Sequence, residues 1–162
     1  MQLNPQSVLD IGAGFGKYGL LCREYLEYWG PNAGLDWKRK IDAVEVFPKY
    51  IAPLHHYVYN NIYVDDVLKI LPKLKGYDLV LLIDVLEHFY KPGGSALVES
   101  LVSHNKGILI STPKEWNEQD DVFGNEYERH KTLWTDKELQ SFGEILFIPD
   151  ERSLICHIQK PH

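Results

Sequence analysis

The feature that most constrains this chain is a glycine-rich turn set between a short apolar run and an amphipathic segment. Ser7–Ile11 (SVLDI) reads as a buried strand and runs directly into Gly12-Ala13-Gly14-Phe15-Gly16. Beyond the turn, Tyr18, Leu21, Cys22, Tyr25, Leu26 and Trp29 recur at helical spacing, and Gly30-Pro31 ends that helix. The alternation then repeats. Ile41–Val46 is predicted as a second strand, and Pro48 opens a short helix to about Tyr57, kinked at Pro53. Asn61–Val64 is a third strand, with a brief helix over Val67–Leu71. Tyr77–Ile83 (YDLVLLI) is apolar enough for a strand covered on both faces. Ser95 is the predicted N-cap of a helix through Ser103, and Gly107–Ile110 is a fifth strand. Thr135 and Glu138 form a capping box for a helix from Asp136 to about Phe142. Ile145–Ile148 and Leu154–Ile158, separated by Pro149-Asp150, form a terminal antiparallel pair.

Strands alternating with helices give a parallel, doubly wound sheet, because right-handed crossovers carry the helices to its faces. The expectation is therefore one α/β domain over residues 1–162, with a seven-stranded sheet parallel except for its last strand. Helices should cover both faces. Thr112–Trp134 shows no clear periodicity, and loops of that length in compact domains are usually functional.

The turn itself discriminates between ligands. A dinucleotide-binding turn reads GxGxxG and seats a pyrophosphate at the helix N-terminus. Counted from Gly12, the last glycine of that pattern falls on Lys17, so the spacing here is GxGxG. Asp10 precedes it, and an acid there repels a pyrophosphate but suits a ligand carrying an ammonium group. The alternative is a turn that merely packs a helix on a strand. Further acids argue against that: Glu45 ends the second strand, Asp65-Asp66 the third and Asp84 the fourth. In open parallel sheets the ligand crevice lies at the carboxyl ends of the strands, where an acid accepts ribose hydroxyls.

Composition excludes several classes. The formal net charge is −6, whereas nucleic-acid binders usually present a basic face. The one basic cluster, Lys38-Arg39-Lys40, is short and reads as a solvated loop. No apolar run approaches the roughly 20 residues of a membrane span. The start, MQLNPQSVLD, has no signal-peptide pattern. Cys22 and Cys156 stand far apart without a CxxC, which fits a reducing, cytoplasmic setting. His55-His56 are adjacent rather than one helical turn apart, and no Cys/His cluster has metal-ligand spacing, so no metal is expected.

VLDIGAGFGKYG, VEVFP, YVDDV and YDLVLLIDVLEHF, in that order, resemble the successive motifs of class I S-adenosylmethionine-dependent methyltransferases. The resemblance covers about Ser7 to Pro113. It implies a Rossmann-like fold, with S-adenosyl-L-methionine as cofactor and methyl transfer as activity. Gly12, Ala13, Gly14 and Gly16 would pass under the methionine part, with Asp10 supporting its ammonium group. Glu45, with Val46, would bind the ribose; Asp66 rather than Asp65, with Val67, would meet the adenine; and Asp84 would lie beside the methionine end. The string Asp84-Val85-Leu86-Glu87-His88 resembles the DVLEH of many small-molecule enzymes of this class.

Methyl transfer mainly requires alignment of donor and acceptor. A hydroxyl acceptor also needs a general base, for which His88 is the first candidate and His130 the second. Tyr127 and Arg129, in the long loop, are candidates for contacting the acceptor; surface ion pairing is the alternative for Arg129. Asp84-Val85-Leu86-Glu87 lacks the Asn/Asp-Pro-Pro-Tyr pattern of amino-methylating enzymes, and there is no Pro-Cys nucleophile. The expected acceptor is a small molecule methylated at oxygen or carbon, not a nucleic acid. Only six residues precede the first strand, so the site is expected to be open, covered by the long loop or completed by a partner chain, including a homodimer. A non-catalytic cofactor-binding module and a nicotinamide-dependent oxidoreductase remain as rival readings.

Overall fold

The computed structural model describes residues 3–29 and 37–160; the predicted helix stop at Gly30-Pro31 lies outside the described residues. Seven strands form one sheet in the order β3-β2-β1-β4-β5-β7-β6. They are β1 Ser7–Ile11, β2 Lys40–Glu45, β3 Asn61–Val64, β4 Leu79–Ile83, β5 Gly107–Pro113, β6 Glu144–Ile148 and β7 Ser153–Gln159. β1 pairs in parallel with both β2 and β4, β2 with β3, and β4 with β5. Only β7 is reversed, antiparallel to its neighbours β5 and β6, as the sequence predicts for the last strand.

Strand side chains alternate between faces, and each face takes its own helices. Val8, Ile41, Ala43, Leu79 and Leu81 pack with Tyr18, Cys22 and Leu26 from the first helical segment and Val58 from α2 (Pro53–Val58). Leu9, Ile11, Val44, Val80, Leu82, Ile108 and Ile110 pack on the opposite face. That layer is completed by α3 (Val67–Ile70), by Leu97 and Leu101 of α4 (Lys91–His104) and by Leu139 of α5 (Asp136–Gln140). The Thr135–Glu138 capping box is formed as predicted.

Several boundaries differ from the sequence reading, each for a local reason. Pro53 separates two elements, a 3-10 turn at Pro48–Tyr50 and α2, rather than kinking one helix. α4 begins at Lys91, with Tyr90 as N-cap and Pro92 in its first turn, a position proline favours. Ser95 therefore lies inside the helix. After α1 (Lys17–Arg23) the chain widens into a π-helix over Glu24–Tyr28, leaving Tyr25 and Trp29 exposed. The buried stripe runs instead through Gly19, Arg23 and Glu27.

Arg23 and Glu27 belong to a buried network that also corrects the reading of the basic cluster. Arg23 donates to Val58 O at 2.7 Å, Arg39 O at 2.8 Å and the Asn60 side chain at 2.8 Å. Glu27 Oε1 accepts from the backbone N–H of Lys38 and Arg39 at 3.0 and 2.6 Å. The Arg39 side chain is itself buried, donating to Pro5 O and Asn4 Oδ1. Buried charge persists where every donor is satisfied. The network ties α1 to the start of β2, and Lys40 pairs with Asp42 in that strand.

Candidate functional site

The sheet changes direction of growth between β1 and β4, the topological switch point where ligands bind in open α/β sheets. A cavity of 430 Å³ opens there, against the carboxyl ends of β1, β2, β3 and β4. Of the residues singled out from sequence, Gly12, Gly14, Glu45, Val46, Asp65, Asp66, Val67, Asp84, His88 and Tyr127 line it.

The glycine turn is built for close approach. Gly12, Gly14 and Gly16 have φ of +73°, +54° and +86°, a region that L residues with a Cβ enter only at some energetic cost. Gly12 N–H and Ala13 N–H both donate to Val44 O, tying the turn to β2. Glu45 completes the link: its Oε2 accepts from Gly14 N–H and its Oε1 from Phe47 N–H, each at 2.8 Å. Burial pushes its carboxyl above the usual range, and those two N–H groups oppose the rise. Each oxygen keeps a second lone pair. His55, fully buried, supports the turn from beneath, accepting at Nδ1 from Ala52 N–H and donating from Nε2 to Gly14 O at 2.9 Å.

Asp10, Ala13 and Gly16 are not cavity residues. Ala13 is buried in the core layer under α1, and Gly16 caps α1 beside His55. Asp10 shares a strand face with Val8, so it points under α1 and accepts from the Tyr59 hydroxyl at 2.5 Å. That hydroxyl in turn accepts from Gly19 N–H at 3.1 Å. Side-chain alternation thus takes the expected ammonium contact away from Asp10. Burial raises its carboxyl from its ordinary value to about 6. The folded chain therefore holds a proton between about pH 4 and pH 6 that the unfolded chain has released, so stability falls as pH rises through that window. Across that window the loss amounts to about 3 kcal/mol. Asp10→Asn keeps an acceptor for Tyr59, and its melting temperature relative to wild type should climb from pH 4 to pH 6 and then level off. A gain of about 6–10 °C at pH 8 is expected by scanning calorimetry, and a difference constant with pH would rule out this origin.

At the end of β4 the chain takes a strained turn. Asp84 has φ +55°, uncommon for a residue other than glycine, and such strain gathers at functional sites. Its N–H donates to Ser111 O at 2.9 Å and its Oδ1 accepts from Ser111 Oγ at 3.2 Å, holding the carboxylate at the cavity. Asp66 caps α3, its Oδ1 accepting from Leu68 N–H at 2.9 Å.

The long segment after β5 supplies the far wall. Val122 and Asn125 bridge across Phe123-Gly124, both with positive φ, in a tight reversal. Asn125, Tyr127, Glu128 and Lys131 then line the cavity. Glu128 accepts from the Tyr50 hydroxyl at 3.0 Å, joining this wall to the β2 side. Lys131 and Thr132 N–H donate to Glu87 O, and Trp134 Nε1 to Leu86 O at 3.1 Å. Trp134 is core, whereas Arg129 is exposed and paired with Asp121. Asn125, Glu128 and Lys131 have no motif around them, so the sequence reading missed them; only pairing across the fold brings them here.

His130 does not line the main cavity, yet its ring centroid lies 5.1 Å from that of His88. Ligand atoms of Glu87, His88 and His130 all lie within 4.8 Å of one another. The sequence spacing hid this cluster, because its members come from segments 42 residues apart that are joined by the Lys131 and Thr132 bonds. Burial, with Asp84 nearby, raises the Glu87 carboxyl to about 7, and burial lowers the His88 imidazole.

No family model and no curated protein matches the sequence. Among solved structures, the N-terminal domain of EvdMO1 with SAH bound superposes with a TM-score of 0.66 at 17% identity, over 96% of this chain and 75% of that one. An O-methyltransferase family protein from Burkholderia thailandensis gives 0.63 at 13% identity, over 97% and 52%. A SAM-dependent methyltransferase from Archaeoglobus fulgidus gives 0.59 at 21% identity, over 88% and 64%. The chain shares the Rossmann-like fold of these proteins. Among the described residues no helix is long and apolar enough to cross a membrane.

Proposed function

We propose that this chain, which has the fold of class I S-adenosylmethionine-dependent methyltransferases, binds S-adenosyl-L-methionine in the cavity and methylates a small molecule at oxygen or carbon. The observation that carries the reading is the Glu45 carboxylate, held at the β2 end by Gly14 and Phe47 N–H with lone pairs to spare. It suits two ribose hydroxyls, and it places a negative charge on the N–H of Gly14 that a pyrophosphate would need. The same contact therefore disfavours a nicotinamide dinucleotide.

In this reading Val67 N–H and the Asp66 carboxylate meet the adenine, and Gly12 and Gly14 let the methionine part pass close to the backbone. Asp84, the acid held at the cavity where Asp10 is not, faces the ammonium group. When bound, the cofactor supplies a methyl group on a sulfonium that leaves as a neutral thioether. The chain's part is to orient the acceptor against it and to assist loss of the acceptor's proton. His88, on the cavity wall beside Asp84 and Val85, is the group placed to do so. Tyr127, Phe89 and Tyr90 form an aromatic wall for a flat or apolar acceptor.

Calorimetric titration with S-adenosylmethionine and, separately, NAD tests this. One-site binding of the first alone is expected; NAD alone, or neither, overturns it. His88→Ala should lose roughly a hundredfold or more in turnover while binding the cofactor normally. Unchanged turnover removes His88 from the reaction.

A further inference from the structure

We propose that Glu87, His88 and His130 together bind a divalent first-row transition-metal ion at the acceptor end of the cavity. Their ligand atoms lie within 4.8 Å of one another. An ion about 2.0–2.2 Å from each ligand sets ligand atoms roughly 3–4 Å apart, so closing on it requires side-chain shifts on the order of 1 Å.

The imidazoles are already oriented for this. His88 Nδ1 is bonded to Arg129 O at 3.2 Å and His130 Nδ1 to Asn117 O at 2.6 Å. A carbonyl only accepts, so each Nδ1 carries the proton and each Nε2 keeps a free lone pair. Backbone carbonyls hold metal-binding histidines in this way, fixing both tautomer and ring direction. The third member, Glu87, is buried, and Thr112 Oγ1 donates to its Oε2 at 3.2 Å. Among the described residues it has no lysine or arginine within ion-pair distance. Lys131 lies instead over the Tyr90 ring, and Arg129 is taken by Asp121. Asp84 and Glu128 add negative charge around it. Buried carboxylates are ordinarily paired or metal-bound, and a cation between these three groups would supply the missing charge.

Two imidazole nitrogens and one carboxylate oxygen favour manganese, iron, cobalt, nickel or zinc over magnesium or calcium. Three protein ligands leave coordination positions open, the usual state of a metal that meets a substrate. Because His88 is on the cavity wall, an open position on its side would reach the cavity, and an oxygen donor of the acceptor is the ligand it would take. This last point rests on the methyl-transfer reading above, with His88 acting through the ion; the cation site itself does not.

The test is titration of the intact chain with Co²⁺ alone, followed by calorimetry and by visible ligand-field absorption. One Co²⁺ per chain is expected, with bands that report nitrogen ligation. His130→Ala should weaken binding by roughly tenfold or more, with folding checked by circular dichroism. Glu87→Gln, which preserves shape and the Thr112 contact, should do the same and serves if the histidine variant fails to fold. Absence of saturable binding, or equal binding by wild type and Glu87→Gln, overturns the proposal. S-adenosylmethionine is titrated separately. Co²⁺ binding without cofactor binding leaves the cation site standing and removes the methyl-transfer reading; the reverse removes the cation site alone.

Discussion

Glu45→Ala is expected to weaken S-adenosylmethionine binding by about a hundredfold or more in calorimetric titration. The side chain has two tasks. It holds the glycine turn against β2 through Gly14 and Phe47 N–H, and in the proposed complex its remaining lone pairs accept ribose hydroxyls. Hydrogen bonds to a charged group contribute about 1.5–3 kcal/mol each. Losing two of them to the ligand alone corresponds to roughly 3–6 kcal/mol, or about two to four powers of ten. The freed Gly14 N–H adds a further loss, because one of the bonds that fix the turn against β2 is then gone. Glu45→Gln offers one carbonyl oxygen in place of two carboxylate oxygens, so its affinity should fall between those of wild type and alanine. Wild-type affinity in Glu45→Ala would show that the ribose lies elsewhere.

Gly12→Ala should have a large effect on the fold itself. A Cβ there would stand 2.5 Å from Val85 Cγ2, well inside contact distance, and Val85 is buried against the core. The φ of +73° adds its own penalty, since left-handed conformations cost a residue with a Cβ about 1–2 kcal/mol. Overpacking typically costs a further 1–3 kcal/mol. The melting temperature should fall by about 10 °C, and the methyl group would also narrow the cavity wall where the cofactor is placed. Val85→Ala in the same chain separates the two contributions: it should relieve the clash and leave the backbone penalty. A Gly12→Ala protein melting within a degree of wild type would mean that the turn is looser than its geometry implies.

The extent to which this site was legible in the sequence follows from which interactions are local. Gly12, Gly14 and Gly16 announce a tight turn because backbone torsion is a property of single residues. Glu45, Asp66 and Asp84 could be placed at the cavity for a related reason: strand ends are marked by local hydrophobic runs, and parallel strands bring their carboxyl ends together. Asp10 obeys the same logic yet does not line the cavity. It is one residue short of the end of β1, and period-two alternation turned it under α1 to Tyr59. Arg39 looked like part of a solvated loop because nothing nearby in sequence announces Glu27 as its partner.

The amino-acid sequence by itself thus determined the succession of strands and helices along the chain, the two-sided core and the turn that opens the cavity, all set by short-range patterning of apolar residues and glycines. Tertiary structure alone decided the far wall and the Glu87–His88–His130 cluster. Those depend on hydrogen bonds between Glu87 and Lys131–Thr132, across a segment with no periodicity of its own. Contacts of that kind are fixed only once the sheet has brought both ends of the segment to the same edge.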